Sequence, residues 1–366
     1  KIFLMNILIV SGSFFPTNSP RSFRTTELVK ELYRLGHKVT LFIPKTAYNY
    51  TAFLKDFQID VKFYNRVQEK RSFLGISILD RVIFRFLNQF CAYPTLNSYP
   101  ILTKALEEEK GYDLLITIAV PHSIPWAFGK LYAKGIRAAK TWISDCGDPF
   151  MLAQSGNYRP PFYLKKLETR WCNYCDYISV PTETSYLGYY PEFREKIRVI
   201  PQGFDFDAVK MSEYKKNPIP TFAYAGSFIP GKRDPRRLFE FLSTMQKPFK
   251  FIVYGTSDKS RWQDLLSKLE GKVIFEQPIP RSELLPKLSQ MDFLINIGNG
   301  TSVQTPSKLI DYSLTKRPIL TIETTDIKED VLGECLDGDY QHCDEKIDIS
   351  RYDIHSVAQQ FLALCR

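Results

Sequence analysis

Apolar positions along the chain fall into two kinds of run that alternate. The opening stretch KIFLMNILIV is apolar and β-branched with no polar alternation, as expected for a parallel strand covered on both faces. SFRTTELVKELYRLG follows with helical spacing. Leu28, Leu32 and Leu35 form a stripe, and Gly36 closes the helix. KVTLFIP is the next strand, then DLLITIA, AKTWIS and DYISVP, with helical stretches between them. The pattern restarts after residue 217 with the strand TFAYAGS and the helix DPRRLFEFLSTM, which carries Pro235 near its first turn. FKFIVYGT, KVIFEQ, DFLINIG and PILTIE read as strands, and RSELLPKLSQ and PSKLIDYSL as helices. Such alternation predicts α/β folding, with parallel sheets carrying helices on both faces.

A chain of 366 residues exceeds what one core usually supports. Between the two series lies IRVIPQGFDFDAVKMSEYKKNPIP, rich in proline and charge and weakly periodic. The expected division is therefore residues 1–205, a Rossmann-like domain, and 206–345, a second one. Residues 346–366 form a closing helix that packs back on the first domain. Doubly wound sheets bind ligands at the carboxyl ends of their strands. Two such domains facing across a cleft would hold a donor in one and an acceptor in the other.

Charge sharpens this picture. The whole net charge of +9 lies in Lys1–Asp205, and the rest of the chain is balanced. A basic first half suits an anionic partner such as a phosphate-bearing lipid or a membrane surface. No recognised motif accompanies it for nucleic acid, which is set aside. The seven cysteines are odd in number and scattered, as in a reducing cytoplasm. Cys172 and Cys175 read as small apolar residues one helical turn apart. The opening run reads as a buried strand, with Met5 a natural start, and no apolar run reaches the roughly 20 residues that span a bilayer.

Four loops carry candidate chemistry. In INIGNGTSVQTPSKLIDY a strand ends at Gly298-Asn299-Gly300 and a helix starts near Pro306. Unpaired amides there attract phosphate. Ser302, Thr305 and Ser307 add hydroxyls, Lys308 adds charge, and Asp311 suits a ribose diol. In AGSFIPGKRDP, Gly226 ends a strand and Lys232 and Arg233 approach a helix start, a pair suited to a diphosphate. The strand ends at Gly255 and Pro278 suit a nucleotide base. In SFFPTNSPRSFR, Asn18, Ser19, Arg21 and Arg24 offer a second phosphate-contacting loop. His122 and Asp148 end strands of the first series and are assigned to sugar or acceptor contacts, with Asp145 beside them. His37 reads as structural. The segment KRSFLGISILDRVIFRFLNQF has an apolar stripe of Leu79, Val82, Ile83, Phe86, Leu87 and Phe90, with Arg81, Arg85 and Asn88 elsewhere on the wheel. Its first reading is a helix packed on the sheet. Its second is an interfacial element on an anionic membrane.

These motifs, in this order, make the chain resemble retaining glycosyltransferases of the GT-B fold, family 4 in particular. The resemblance spans nearly the whole length. FFPTNSPRSFR and LGHKVTLF match the opening loop and Gly-His-x-Val element, and Asp148-Pro149 a mid-domain pair. IPQGFDF matches the linker entry, Gly226–Arg233 the Gly-Arg-x-x-x-x-Lys-Gly element, and PSKLIDYSLTKRPIL the closing helix and strand. Ser227 stands in place of the family's arginine. Of the family's two glutamates, one position holds Val303, beside Gln304, and the other Asp311. The resemblance implies sugar transfer from a nucleotide sugar, UDP- or GDP-linked, to a glycan or lipid-linked acceptor. It implies retention of configuration, no metal and no cofactor beyond the donor, in a cytoplasmic protein, peripheral on the membrane if the interfacial reading holds. Two other classes fit the architecture: a sugar-nucleotide epimerase and a non-catalytic nucleotide-sugar or glycan-binding protein.

Overall fold

The computed structural model describes residues 4–17, 19–67, 69–70, 72–152, 159–298, 307–344 and 348–365. The chain divides into two compact units, Lys1–Asp205 with Arg351–Arg366, and Phe206–Ser350.

The first unit is built on seven strands: β1 (Asn6–Ser11), β2 (Lys38–Pro44), β3 (Asp60–Tyr64), β4 (Tyr112–Ala119), β5 (Ala139–Cys146), β6 (Tyr177–Val180) and β7 (Ile197–Val199). They lie in the order β3-β2-β1-β4-β5-β6-β7, all parallel. The uniform apolar runs follow from burial on both sides. Leu8 and Val10 enter one core with Trp126, Trp142 and Trp171, while Ile7 and Ile9 enter the other with Leu28 and Leu32. The second core is closed by the helix Ile354–Ala363, whose Val357 and Phe361 are fully buried.

The second unit has five parallel strands: β8 (Thr221–Ala225), β9 (Lys250–Tyr254), β10 (Val273–Glu276), β11 (Phe293–Ile297) and β12 (Ile319–Ile322), in the order β10-β9-β8-β11-β12. Phe222 at its centre stacks on Phe251 at 4.7 Å and on Phe293 at 4.5 Å, one aromatic from each neighbouring strand.

In each sheet the chain reverses direction of winding beside its first strand, between β1 and β4 and between β8 and β11. Those points open a crevice at the carboxyl ends of the strands, because the loops there leave in opposite directions.

The segment with the apolar stripe forms a helix, Ser77–Cys91, but the stripe does not pack on the sheet. Val82, Phe86 and Phe90 are each more than half exposed, and the residue this helix buries is Asp80. The expectation of a packed stripe is thereby corrected.

Candidate functional site

In the second unit a cavity of about 270 Å³ lies at the carboxyl ends of β8, β9 and β10. It is lined by Ala225, Gly226, Tyr254, Pro278, Lys308 and Asp311, among others. The helix Ser307–Leu314, which follows β11, supplies the last two.

Glycine makes room for this arrangement at two points. Gly226 holds φ at +150°, and a Cβ there would meet the Lys308 ammonium at 2.6 Å. A Cβ on Gly255 would meet the Gly226 carbonyl oxygen at 2.2 Å, so the two strand-end turns approach backbone to backbone. Lys308 Nζ sits over the Tyr224 ring, 4.0 Å from its centroid. Burial, and then the nearby Arg233 charge, pull the Lys308 pKa down to about 7. The Arg233 guanidinium lies beside Tyr224, where its charge offsets part of the rise that burial gives the tyrosine pKa. Its Nε is buried without a protein partner among the described residues. Two cations thus sit together in a poorly solvated place, with donor capacity left over. Buried donors of this kind are ordinarily satisfied by a partner, and an anion has the chemistry to do so.

Asp311 is held through Oδ1 by Arg281, at 2.8 Å from both Nε and Nη2. Burial raises its pKa and the Arg281 charge offsets part of the rise. Lys232 requires a correction. It lies exposed in the turn Ile229–Arg233, its carbonyl accepting from the Thr324 hydroxyl at 2.8 Å; neither it nor Arg233 lines the cavity, but Arg233 is half-buried and close enough to Lys308 to lower its pKa. The cations brought together are Arg233 and Lys308. The turn closes by the Arg233 amide donating to the Ile229 carbonyl, at 2.8 Å. Asn18, Ser302 and Thr305 lie outside the described residues, as do Val303 and Gln304. Ser307 begins its helix, and its side chain lies outside the description too.

In the first unit a cavity of about 430 Å³ lies at the β1–β4 switch, lined by Gly12, Ser13, Ser19, Arg21, Arg66 and Pro121 among others. Ser19 caps the helix Pro20–Arg34, its hydroxyl accepting from the Ser22 amide at 3.1 Å, with Pro20 at the first helical position. Arg21 donates to Asp148 at 2.7 Å. Burial opposes the Arg21 charge, but Asp145 and Asp148 outweigh it and raise the pKa. The Asp148 side chain is 70% exposed. Arg66 was not found by sequence reasoning, because it follows an edge strand with no motif around it.

Two residues of this unit are corrected. Arg24, expected to contact phosphate, is 3% exposed and spent internally. It forks onto Asp145 at 2.8 and 3.1 Å and donates to the carbonyls of Ile200 and Pro201. Asp145 accepts from Ser179 as well, at 2.6 Å. Burial would raise its carboxyl, but Arg24, with Arg21 and Ser179, holds it below the ordinary value. His122, expected to meet the sugar or the acceptor, is 8% exposed and does not line the cavity. Its ring packs against Phe150 at 4.9 Å, and burial pulls its pKa to about 4, so it is neutral at pH 7.

No family model matches the chain, and no curated protein is similar to it in sequence. Solved structures share its fold. A glycosyltransferase from Rickettsia africae superposes with a TM-score of 0.61 at 13% identity, covering 99% of this chain and 98% of that one. Anabaena HepE in complex with UDP and glucose gives 0.55 at 12% identity, covering 98% of each. A putative UDP-N-acetylglucosamine 2-epimerase from Listeria monocytogenes gives 0.50 at 12% identity, covering 99% and 96%. The architecture they share with this chain is GT-B, two Rossmann-like α/β domains in one polypeptide.

Proposed function

We propose that the chain is a glycosyltransferase that moves a sugar from a UDP- or GDP-linked donor to a glycan or lipid-linked acceptor. The observation that carries this reading is the Arg233–Lys308 pair beside Gly226, with unspent donor capacity at the strand ends of the second unit. Breaking the bond between sugar and diphosphate leaves growing negative charge on the leaving oxygen. Preorganised cations in a poorly solvated site stabilise that charge more than they stabilise the donor. Asp311, fixed by Arg281, lines the same cavity at a distance from Lys308 of one helical turn and suits a ribose diol. Pro278 and Tyr254 form the wall offered to the base. Retention of configuration and transfer without a metal belong to this reading through the family resemblance. HepE, a solved structure of the same fold, holds UDP and glucose, which supports a nucleotide donor here.

Titration calorimetry with UDP, GDP and ADP tests the binding step. Losing one charged hydrogen-bond donor costs about 2 kcal/mol, roughly thirtyfold in affinity. Lys308→Ala and Arg233→Ala are therefore each expected to weaken nucleotide binding by that order, and Lys232→Ala to leave it nearly unchanged. A turnover assay with a labelled nucleotide sugar separates the classes. Sugar transfer supports the proposal. Epimerised donor favours the epimerase reading, which the Listeria structure keeps in view. Binding with neither transfer, hydrolysis nor epimerisation identifies a non-catalytic receptor.

A further inference from the structure

We infer that the first unit docks on an anionic lipid bilayer through the helix Ser77–Cys91, assisted by the adjoining turn Phe162–Leu164. At 3.6 residues per turn, Ile78, Leu79, Val82, Phe86 and Phe90 share an arc about 120° wide. All five are exposed. On its other side the helix is tied to the loop that precedes it. Asp80 accepts from the Ser72 hydroxyl and from the amides of Phe73, Leu74 and Gly75, at 2.7 to 3.2 Å. Those bonds fix the preceding loop so that Leu74 and Ile76 also stand exposed, at 61% and 54%.

A second apolar element is tied to the far end of the same helix. The Tyr163 hydroxyl donates to the Phe90 carbonyl, and the Gln89 side chain donates to the Arg159 carbonyl at 3.2 Å. The turn so anchored carries Phe162, which is 87% exposed. Exposed apolar side chains grouped on one helix face and on the turn anchored to it mark an interaction surface.

Charge selects the partner. Arg81 and Arg85 are exposed along one edge of the apolar arc. Between Arg66 and Cys91 there are five basic residues and two acidic ones, and one of the acids, Asp80, is spent on the loop. Arg159, Lys165 and Lys166 flank Phe162 with no acidic residue between them. Phenylalanines on one face with arginines at its edge is the pattern of a helix lying in a lipid interface, its apolar side in the acyl boundary and its cations among anionic headgroups. The helix has 15 residues, and among the described residues none is long and apolar enough to cross a membrane. Both ends of the segment run into the cavity of the first unit, through Arg66 and Glu69 before the helix and Pro94 and Ser98 after it. Docking sets that cavity at the headgroup level.

Co-sedimentation of the full chain with vesicles tests this without reference to any enzymatic activity. Binding is expected to phosphatidylglycerol vesicles and to be far weaker to phosphatidylcholine. Each basic residue at an anionic surface accounts for about fivefold in partition, so R81E/R85E is expected to weaken binding roughly twentyfold or more. F86S/F90S/F162S removes the apolar anchor and is expected to abolish stable binding. These residues are exposed, so the variants should keep the thermal midpoint of the parent, which circular dichroism checks. Absence of binding to phosphatidylglycerol at low salt overturns the inference. So does equal binding to both lipids. A concentration-dependent dimer in sedimentation velocity that F86S/F90S/F162S dissolves assigns the face to a second copy instead, and also overturns it.

Discussion

At the scale of single residues, the protonation of Lys308 ties ligand affinity to pH. An ordinary lysine stays charged throughout the neutral range, whereas this one is pulled to about 7 by burial and by Arg233. A bound diphosphate favours its charged form, so binding above that value takes up a proton. UDP affinity is expected to fall by up to about tenfold for each pH unit above about 7. The fall should be lost in Lys308→Met; calorimetry in buffers of different ionisation enthalpy reads the proton directly. Arg24 makes the opposite kind of case. Its pairing with Asp145 is structural, and removing one partner strands a buried charge at a cost of about 3–5 kcal/mol. Arg24→Met is expected to lower stability to urea by that order at neutral pH. Because the folded-state pKa of Asp145 is depressed, the stability it contributes is present above its unfolded value and is lost as pH falls through the folded one. The gap between Arg24→Met and the parent should therefore narrow in acid, and R24M/D145L should recover much of the loss. Lys308 was legible in the sequence as a charge beside a phosphate loop, though its burial was not, and the structural role of Arg24 was not legible at all. Arg21 and Arg24 lie one turn apart in the same helix, and Lys232 and Arg233 are neighbours. Which of each pair turns inward depends on what the rest of the chain packs against them.

At the scale of elements, most strands legible in the sequence are buried on both faces, since their apolar runs have no competing reading, while the half-buried edge strand β10 was legible from its short apolar run. The ones not read out were β3 and β7. β3 is an edge strand whose DVKFY alternates charge with apolar residues, and β7 is three residues long inside a proline-rich stretch. The helix Ser77–Cys91 was legible as amphipathic, but periodicity carries no sign. It shows that one face is apolar, not that this face turns outward. The central strand of the smaller sheet depends on its aromatic ladder. Phe222→Ala removes the middle ring and is expected to cost about 3–5 kcal/mol. In chemical denaturation this should lower the transition of the second unit. Gly255 was legible as a strand end suited to a nucleotide base, but its steric need was not, since that arises from the approach of Gly226.

At the scale of the molecule, the first unit is assembled from two pieces of chain separated by all of the second. The later piece is joined by backbone as well as by side chains. The amide of Phe204 donates to the carbonyl of Tyr352, the amide of Ile354 to the carbonyl of Phe204, and Glu31 meets His355 at 3.0 Å. Deleting residues 351–366 uncovers Ile7, Leu28 and their neighbours. The deletion is expected to lower the melting transition of the first unit while leaving the nucleotide affinity of the second within about twofold of the parent, since the two cores are separate.

The interrupted unit also has a history written into it. On a ribosome, Lys1–Asp205 emerges first yet lacks the helix that seals one side of its sheet. Phe206–Ser350 is contiguous and emerges with every strand of its own sheet in hand. The half synthesised first is therefore finished last, and its open apolar face is what a nascent-chain chaperone would meet during translation.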